Sequence, residues 1–133
     1  MIVVDTNVIG YLLLSSEQSI LAERALQKDS EWAAPILWRS EFRNVLTLYV
    51  RKNILKLEQA QQIMNSALEL LKGREYVALS YEVLRLASAS NCSAYDCEFI
   101  ATANDLKVPL VTVDKQLLRE FSSVAMSLYS FVK

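Results

Sequence analysis

Four acidic residues, Asp5, Glu41, Asp96 and Asp114, stand where they could do chemistry. Asp5 directly follows the β-branched run Ile2-Val3-Val4, and Asp114 directly follows Leu110-Val111-Thr112-Val113. In a parallel sheet, ligands bind in the crevice beyond the carboxyl ends of the strands, so both acids are expected at one edge. Helix N-capping alone also accounts for either of them. Glu41 shares a helical stripe with Leu37, Trp38, Val45 and Leu48 that should face the sheet. A carboxylate on a buried face is costly unless it is paired or bound to metal. An ion pair with Arg39 or Arg43, or an exposed end to the stripe, are the other accounts of it. Asp96 opens a helix after Ser93-Ala94-Tyr95, where Ser93 could share the capping. Glu98, two residues on, points about 200° away around the same helix and is the weaker acid.

The chain has no histidine. That excludes Ser-His-Asp and Cys-His catalysis, His-ligated metals and His proton shuttles. Cys92 and Cys97 are too few for a disulfide framework and lack companion ligands for zinc, so reduced thiols in a cytoplasmic protein are expected. What is left is carboxylate chemistry. Converging carboxylates raise one another's pKa unless a cation intervenes, and Mg²⁺ or Mn²⁺ is the natural partner for hard oxygen ligands. Such an ion lowers the pKa of bound water and neutralises charge on a phosphoryl group, and it needs no histidine.

The elements that must position these acids alternate between short apolar runs and longer helical patterns. Strands are expected at Ile2–Val4, Trp32–Ala34, Tyr76–Leu79 and Pro109–Val113, with an edge strand somewhere in Val124–Phe131. Helices are expected from Asp5 to Leu14, from Ser15 to Gln27, from Ile36 to Lys52 and from Glu58 to Leu71, the last stopped by Gly73. Ser80 caps a further helix to Ser90, Ser93 opens one to Leu106, and a short one runs from Asp114 to Phe121. Strands separated by helices imply βαβ units and a three-layer α/β/α fold around a mainly parallel sheet of four to five strands. At 133 residues with only two Gly and two Pro, the chain reads as one domain, 1–133. No apolar run approaches the roughly 20 residues of a membrane span, and the start lacks the features of a signal peptide. A net charge of -1 advertises neither nucleic acid nor membrane binding.

Val4-Asp5-Thr6-Asn7-Val8, Ser40 to Leu46, Ala94 to Ala101 and Val111-Thr112-Val113-Asp114 occur in the order seen in PIN domains, and the whole chain resembles a VapC-type PIN-domain toxin. The resemblance implies an Mg²⁺- or Mn²⁺-dependent endoribonuclease, with RNA as substrate and a small antitoxin as partner. It implies that Asp5, Glu41, Asp96 and Asp114 are the family's acidic quartet, catalytic and metal-binding. Thr6 and Asn7 match the polar pair after the first acid, and Thr112 matches the hydroxyl residue before the last. These three would orient carboxylates or waters, although Thr and Asn also suit strand-to-helix turns. Glu98 is an acid that only some members carry. Arg39, Arg43, Lys115 and Arg119 lie near quartet members in sequence and are candidates for RNA-phosphate contacts, or else ordinary surface charge.

The same residues admit other readings. A housekeeping RNA-processing nuclease would look identical in sequence, and a PIN scaffold could bind RNA or a partner without cutting. A haloacid-dehalogenase-like phosphatase wants a second Asp where Asn7 stands, and a receiver-like domain wants a Lys after a late strand. The high apolar content, 53%, suggests a homodimer face or partner groove on helices such as 17–27 and 58–71.

Overall fold

A computed structural model describes all residues from Met1 to Lys133. Its elements in chain order are β1 (Ile2–Val4), α1 (Thr6–Leu13), α2 (Ser19–Lys28), β2 (Trp32–Pro35), α3 (Trp38–Arg51), α4 (Leu57–Leu71) and β3 (Glu75–Tyr76). Then follow α5 (Ser80–Ser88), α6 (Ala94–Leu106), β4 (Leu110–Thr112), α7 (Lys115–Glu120), β5 (Ala125–Ser127) and α8 (Leu128–Val132).

The five strands form one sheet in the order β3-β2-β1-β4-β5, and every pairing is parallel. β1, β2 and β4 are buried along their whole length, which is why apolar and β-branched runs with no polar alternation form them. α6 lies along β1, β2 and β4, with α5 packed on it. Helix α1 packs against α2, α3 and α4, and α8 packs on α2, so helices flank the sheet in two groups. One contiguous core runs through these layers and includes Trp32, Trp38, Phe42 and Phe99. No helix is long and apolar enough to cross a membrane.

Four expectations shift. The third strand is only Glu75–Tyr76, because its partner β2 ends at Pro35 and the chain turns into α3; Val77–Leu79 therefore have no strand to pair with. Ser80 is the first residue of α5, and Leu79 takes the cap position without a side-chain bond. Helix α2 begins at Ser19 rather than near Ser15, because Ser16 N–H donates to Ser19 Oγ and Gln18 N–H donates to Ser16 Oγ, folding a turn instead. The tail is a strand followed by a helix, with Ser127 Oγ accepting from Ser130 N–H at the junction.

The buried face of α3 carries Trp38, Phe42 and Leu46, so its centre lies one residue round from the expected stripe and Leu48 is exposed. This leaves Glu41 at the edge of the buried face, half-buried rather than sealed in.

Candidate active site

The strand order places β1 beside both β2 and β4, so the connection out of β1 runs to one side and the connection into β4 returns to the other. Such a switch point opens a crevice at the carboxyl ends of the strands. Asp5 leaves the end of β1 and caps α1, its carboxylate accepting from Thr6 N–H at 2.8 Å. Asp114 follows the end of β4 and caps α7 through Leu117 N–H at 2.9 Å. Glu41 sits in the first turn of α3, and Asp96 in the first turn of α6. Capping and convergence are therefore compatible. The starts of these four helices meet at the carboxyl edge, and all four acids line one cavity of about 350 Å³.

Three neutral residues hold the acids in place. Thr112 Oγ1, fully buried, donates to Asp5 Oδ2 at 2.7 Å and accepts from Asp114 N–H at 3.0 Å, so it ties together the two strand-end acids. Thr6 Oγ1 donates to Glu41 Oε1 at 2.6 Å. Asn7 Nδ2 makes a long contact of 3.4 Å to Asp5 Oδ2. Asn7 Oδ1 is buried in the cavity wall and has no partner.

The electrostatics follow from this crowding. Burial raises the Asp5 carboxyl to about 6, against the donors Thr112 and Thr6 and with the help of Glu41 and Asp96. Glu41 is raised by burial, opposed by the Thr6 bond and reinforced by Asp96 and Glu98. Asp96 is raised by burial and then by Asp114. Each of these carboxylates is thus short of positive charge.

The donor set suits a hydrated divalent cation. No three acidic side chains converge closely enough to ligate one ion together as they stand. Mg²⁺, however, keeps several waters and is usually bound through one or two carboxylates. Facing carboxylates, one depleted of charge partners by burial, and an unpartnered amide oxygen in the wall meet that requirement.

The other expected residues fall outside this cavity. Glu98 lines a neighbouring groove with Arg39, Ser40 and Arg43, and burial raises its own carboxyl. Arg39 is not a partner of Glu41. Its guanidinium grips Glu75 on β3 with two of its nitrogens, at 2.6 and 2.5 Å, and Trp38 Nε1 donates to the same carboxylate at 2.7 Å. Arg43, Lys115 and Arg119 are exposed and form no salt bridge. Sequence reasoning missed Gly10, Tyr11, Leu14, Ser16, Val45 and Tyr49, which complete the cavity lining. Helical spacing from the acids was the available signal. Tyr11 and Leu14 lie four and seven residues after Asn7, and Val45 and Tyr49 lie four and eight after Glu41.

An all-parallel five-stranded sheet, flanked by helices and carrying an acidic crevice at its switch point, defines a class of three-layer α/β/α proteins. The family model described as PIN domain matches residues 2–123, and the chain belongs to that family. A curated relative, Ribonuclease VapC3 of Pyrobaculum aerophilum, is 28% identical over 126 residues, covering 92% of this chain and 96% of the relative. Among solved structures, PAE2754 from Pyrobaculum aerophilum superposes with a TM-score of 0.78 at 20% identity, covering 98% of this chain and 92% of the other. A toxin–antitoxin complex from Klebsiella pneumoniae gives a TM-score of 0.70 at 18% identity, covering 97% of this chain and 98% of that one.

Proposed function

We propose that this chain is a divalent-metal-dependent endoribonuclease of the VapC type, the toxin of a toxin–antitoxin pair acting in the cytoplasm. The observation that carries the reading is the meeting of Asp5, Glu41, Asp96 and Asp114, from four separate segments, around one cavity at the switch point. The relationship to a protein named a ribonuclease, and the likeness to a toxin–antitoxin complex, support the same reading.

Asp5 and Asp96 would hold Mg²⁺ or Mn²⁺, with Glu41 and Asp114 contributing directly or through water. The bound ion would supply Lewis acidity, activating a water and neutralising charge on the RNA phosphodiester. Thr112 fixes the Asp5 carboxylate and the start of α7 together, and Thr6 fixes the Glu41 carboxylate, so the acids need not reorganise when substrate arrives. Tyr11 and Tyr49 line the same cavity and would supply aromatic surface for a base next to the cut. Arg43, Lys115 and Arg119, exposed and unpaired, are the cations available to flanking phosphates; Arg39 is committed to Glu75. Cleavage would leave 5′-phosphate and 3′-hydroxyl ends.

The partners follow from the surface. Arg43, Leu46, Val50, Arg51, Leu57 and Met64 line an open groove between α3 and α4, apolar at its floor and basic at its rim. It would receive an acidic, amphipathic antitoxin segment. A homodimer would use a different face, the exposed apolar residues of the segment 77–84.

The test is cleavage of RNA by the purified chain with Mg²⁺ or Mn²⁺, with EDTA, and in the variants Asp5→Asn and Asp96→Asn. Loss of cleavage in EDTA and in both variants is expected. Undiminished cleavage by the variants would remove the site assignment.

A further inference from the structure

The helix that carries Asp114 at its start also grips the turn that leads to Asp96. Gln116 and Glu120 lie one turn apart on α7 and face the connection between α5 and α6. Glu120 Oε1 accepts from Asn91 N–H at 2.9 Å, and Gln116 Nε2 donates to the Asn91 carbonyl at 3.0 Å. Both backbone polar groups of Asn91 are therefore held by α7. Glu120 Oε2 also accepts from Cys92 Sγ at 3.6 Å. The far side of the turn is anchored on α5, where Ser90 Oγ donates to the Leu86 carbonyl at 2.9 Å and accepts from Cys92 N–H at 3.3 Å. Ser93 follows at once and caps α6, its Oγ accepting from Asp96 N–H at 3.1 Å.

The other acids have shorter ties. Thr112 links Asp5 to Asp114, and Thr6 links Glu41 to the start of α1. The one residue that holds Asp96 is Ser93, whose Oγ accepts from the Asp96 N–H and whose hydroxyl also favours the charged carboxylate. Its spacing from Asp114 is set through the Asn91–Ser93 turn.

We propose that Glu120, assisted by Gln116, is a positioning residue for the cation site, fixing Asp96 against Asp114 by clamping that turn to α7. The proposal rests on the reading of the acidic cavity as a divalent-cation site. Glu120 touches neither cation nor substrate. Ligand-orienting partners of this kind are worth about 10- to 100-fold in metal affinity, and one acting through a turn belongs at the lower end.

The experiment titrates Mn²⁺ by calorimetry into the metal-free full chain, well below its melting temperature, for the parent and for Glu120→Ala, Glu120→Gln, Gln116→Ala and Asp96→Asn. Glu120→Ala should weaken Mn²⁺ binding about tenfold. Glu120→Gln, which keeps an oxygen for Asn91 N–H, should recover most of that affinity. Gln116→Ala removes the other half of the grip and should give a smaller loss; it serves also if Glu120→Ala does not fold. A purely structural Glu120 would lower the melting temperature and leave Mn²⁺ affinity unchanged, and that result overturns the proposal. Full Mn²⁺ affinity in Asp96→Asn would overturn the cation-site reading itself, which separates the two failures.

Discussion

Asp5 is the residue on which the opposing forces of the site concentrate. Its two oxygens accept from Thr6 N–H and Thr112 Oγ1, yet burial still raises its carboxyl to about 6. The folded chain thus holds this proton more tightly than the unfolded chain does. For such a group, stability is full below the unfolded value of 3.8 and is lost as pH rises through about 6. We expect metal-free protein to melt at a lower temperature at pH 7.5 than at pH 5, with a contribution from Asp5 of about 1.4 kcal/mol between those two values, roughly half of its full effect. Asp5→Asn should flatten that slope and raise the melting temperature at pH 7.5, and saturating Mn²⁺ should do the same for the parent chain. A metal-free melting temperature unaffected by Asp5→Asn at pH 7.5 would contradict this account. Thr112 supports the same carboxylate, and Thr112→Val would leave both Asp5 Oδ2 and Asp114 N–H short of a partner, costing about 1–3 kcal/mol by thermal denaturation. Thr112→Ser keeps the hydroxyl and should restore most of the loss. The strand-end acids were legible because an acid directly after a buried run marks the carboxyl edge of a parallel sheet. The Arg39–Glu75 pair was not, since it joins residues 36 apart that meet only when β3 docks beside β2.

At the scale of elements, the central strands were readable and the margins were not. β1, β2 and β4 are buried on both faces, so their sequences announce them. β3 ends where its neighbour ends, which no local pattern encodes, and the tail splits into β5 and α8 because Ser127 caps a helix that the apolar content alone does not distinguish from a strand. The stop after α4 is a case in which local chemistry sufficed. Gly73 has a φ of +80°, a conformation that only glycine adopts freely, and Arg74 N–H returns to the Leu71 carbonyl to close the turn at 2.9 Å. No atom lies within 4 Å of where a Cβ would stand, so a side chain here meets no steric obstacle. Gly73→Ala should therefore cost about 1 kcal/mol, all of it from the backbone, measured as a lower denaturant midpoint with an unchanged slope. A loss several times larger would mean that the turn is held by contacts the geometry does not contain. The same variant should leave Mn²⁺ affinity unchanged, since the acids belong to other elements.

For the molecule as a whole, a net charge of -1 hides its own organisation: acids converge on one cavity while Arg43, Lys115 and Arg119 stay unpaired at the surface. The apolar surface is likewise uneven. Of the helices expected to carry a homodimer face or partner groove, 17–27 and 58–71, α2 buries Ala22 and Ala25 but leaves Ile20 exposed, while α4 buries Ala60, Ala67 and Leu71 and lines the groove it shares with α3. The segment from β3 into α5 turns apolar residues outward, with Val77 83%, Leu79 66%, Tyr81 80% and Leu84 67% exposed. Single exposed apolar residues are ordinary, but four within eight positions form a patch. Val77 and Leu79 alternate on extended chain, Tyr81 and Leu84 share one face of α5, and the two-residue strand β3 beside them is an unpaired sheet edge. In the proposed homodimer such a surface would meet a second copy across a two-fold axis, where the same residues face one another from both sides. Light scattering at micromolar concentration should then report a dimer for the parent chain. Tyr81→Glu combined with Leu84→Glu places like charges across that axis and should yield a monomer whose melting temperature no longer depends on protein concentration, with unchanged Mn²⁺ affinity, because every proposed ligand comes from one chain. A double variant that remains dimeric would move the interface elsewhere and return helices α2 and α4 to consideration, and a monomeric parent chain would overturn the dimer itself.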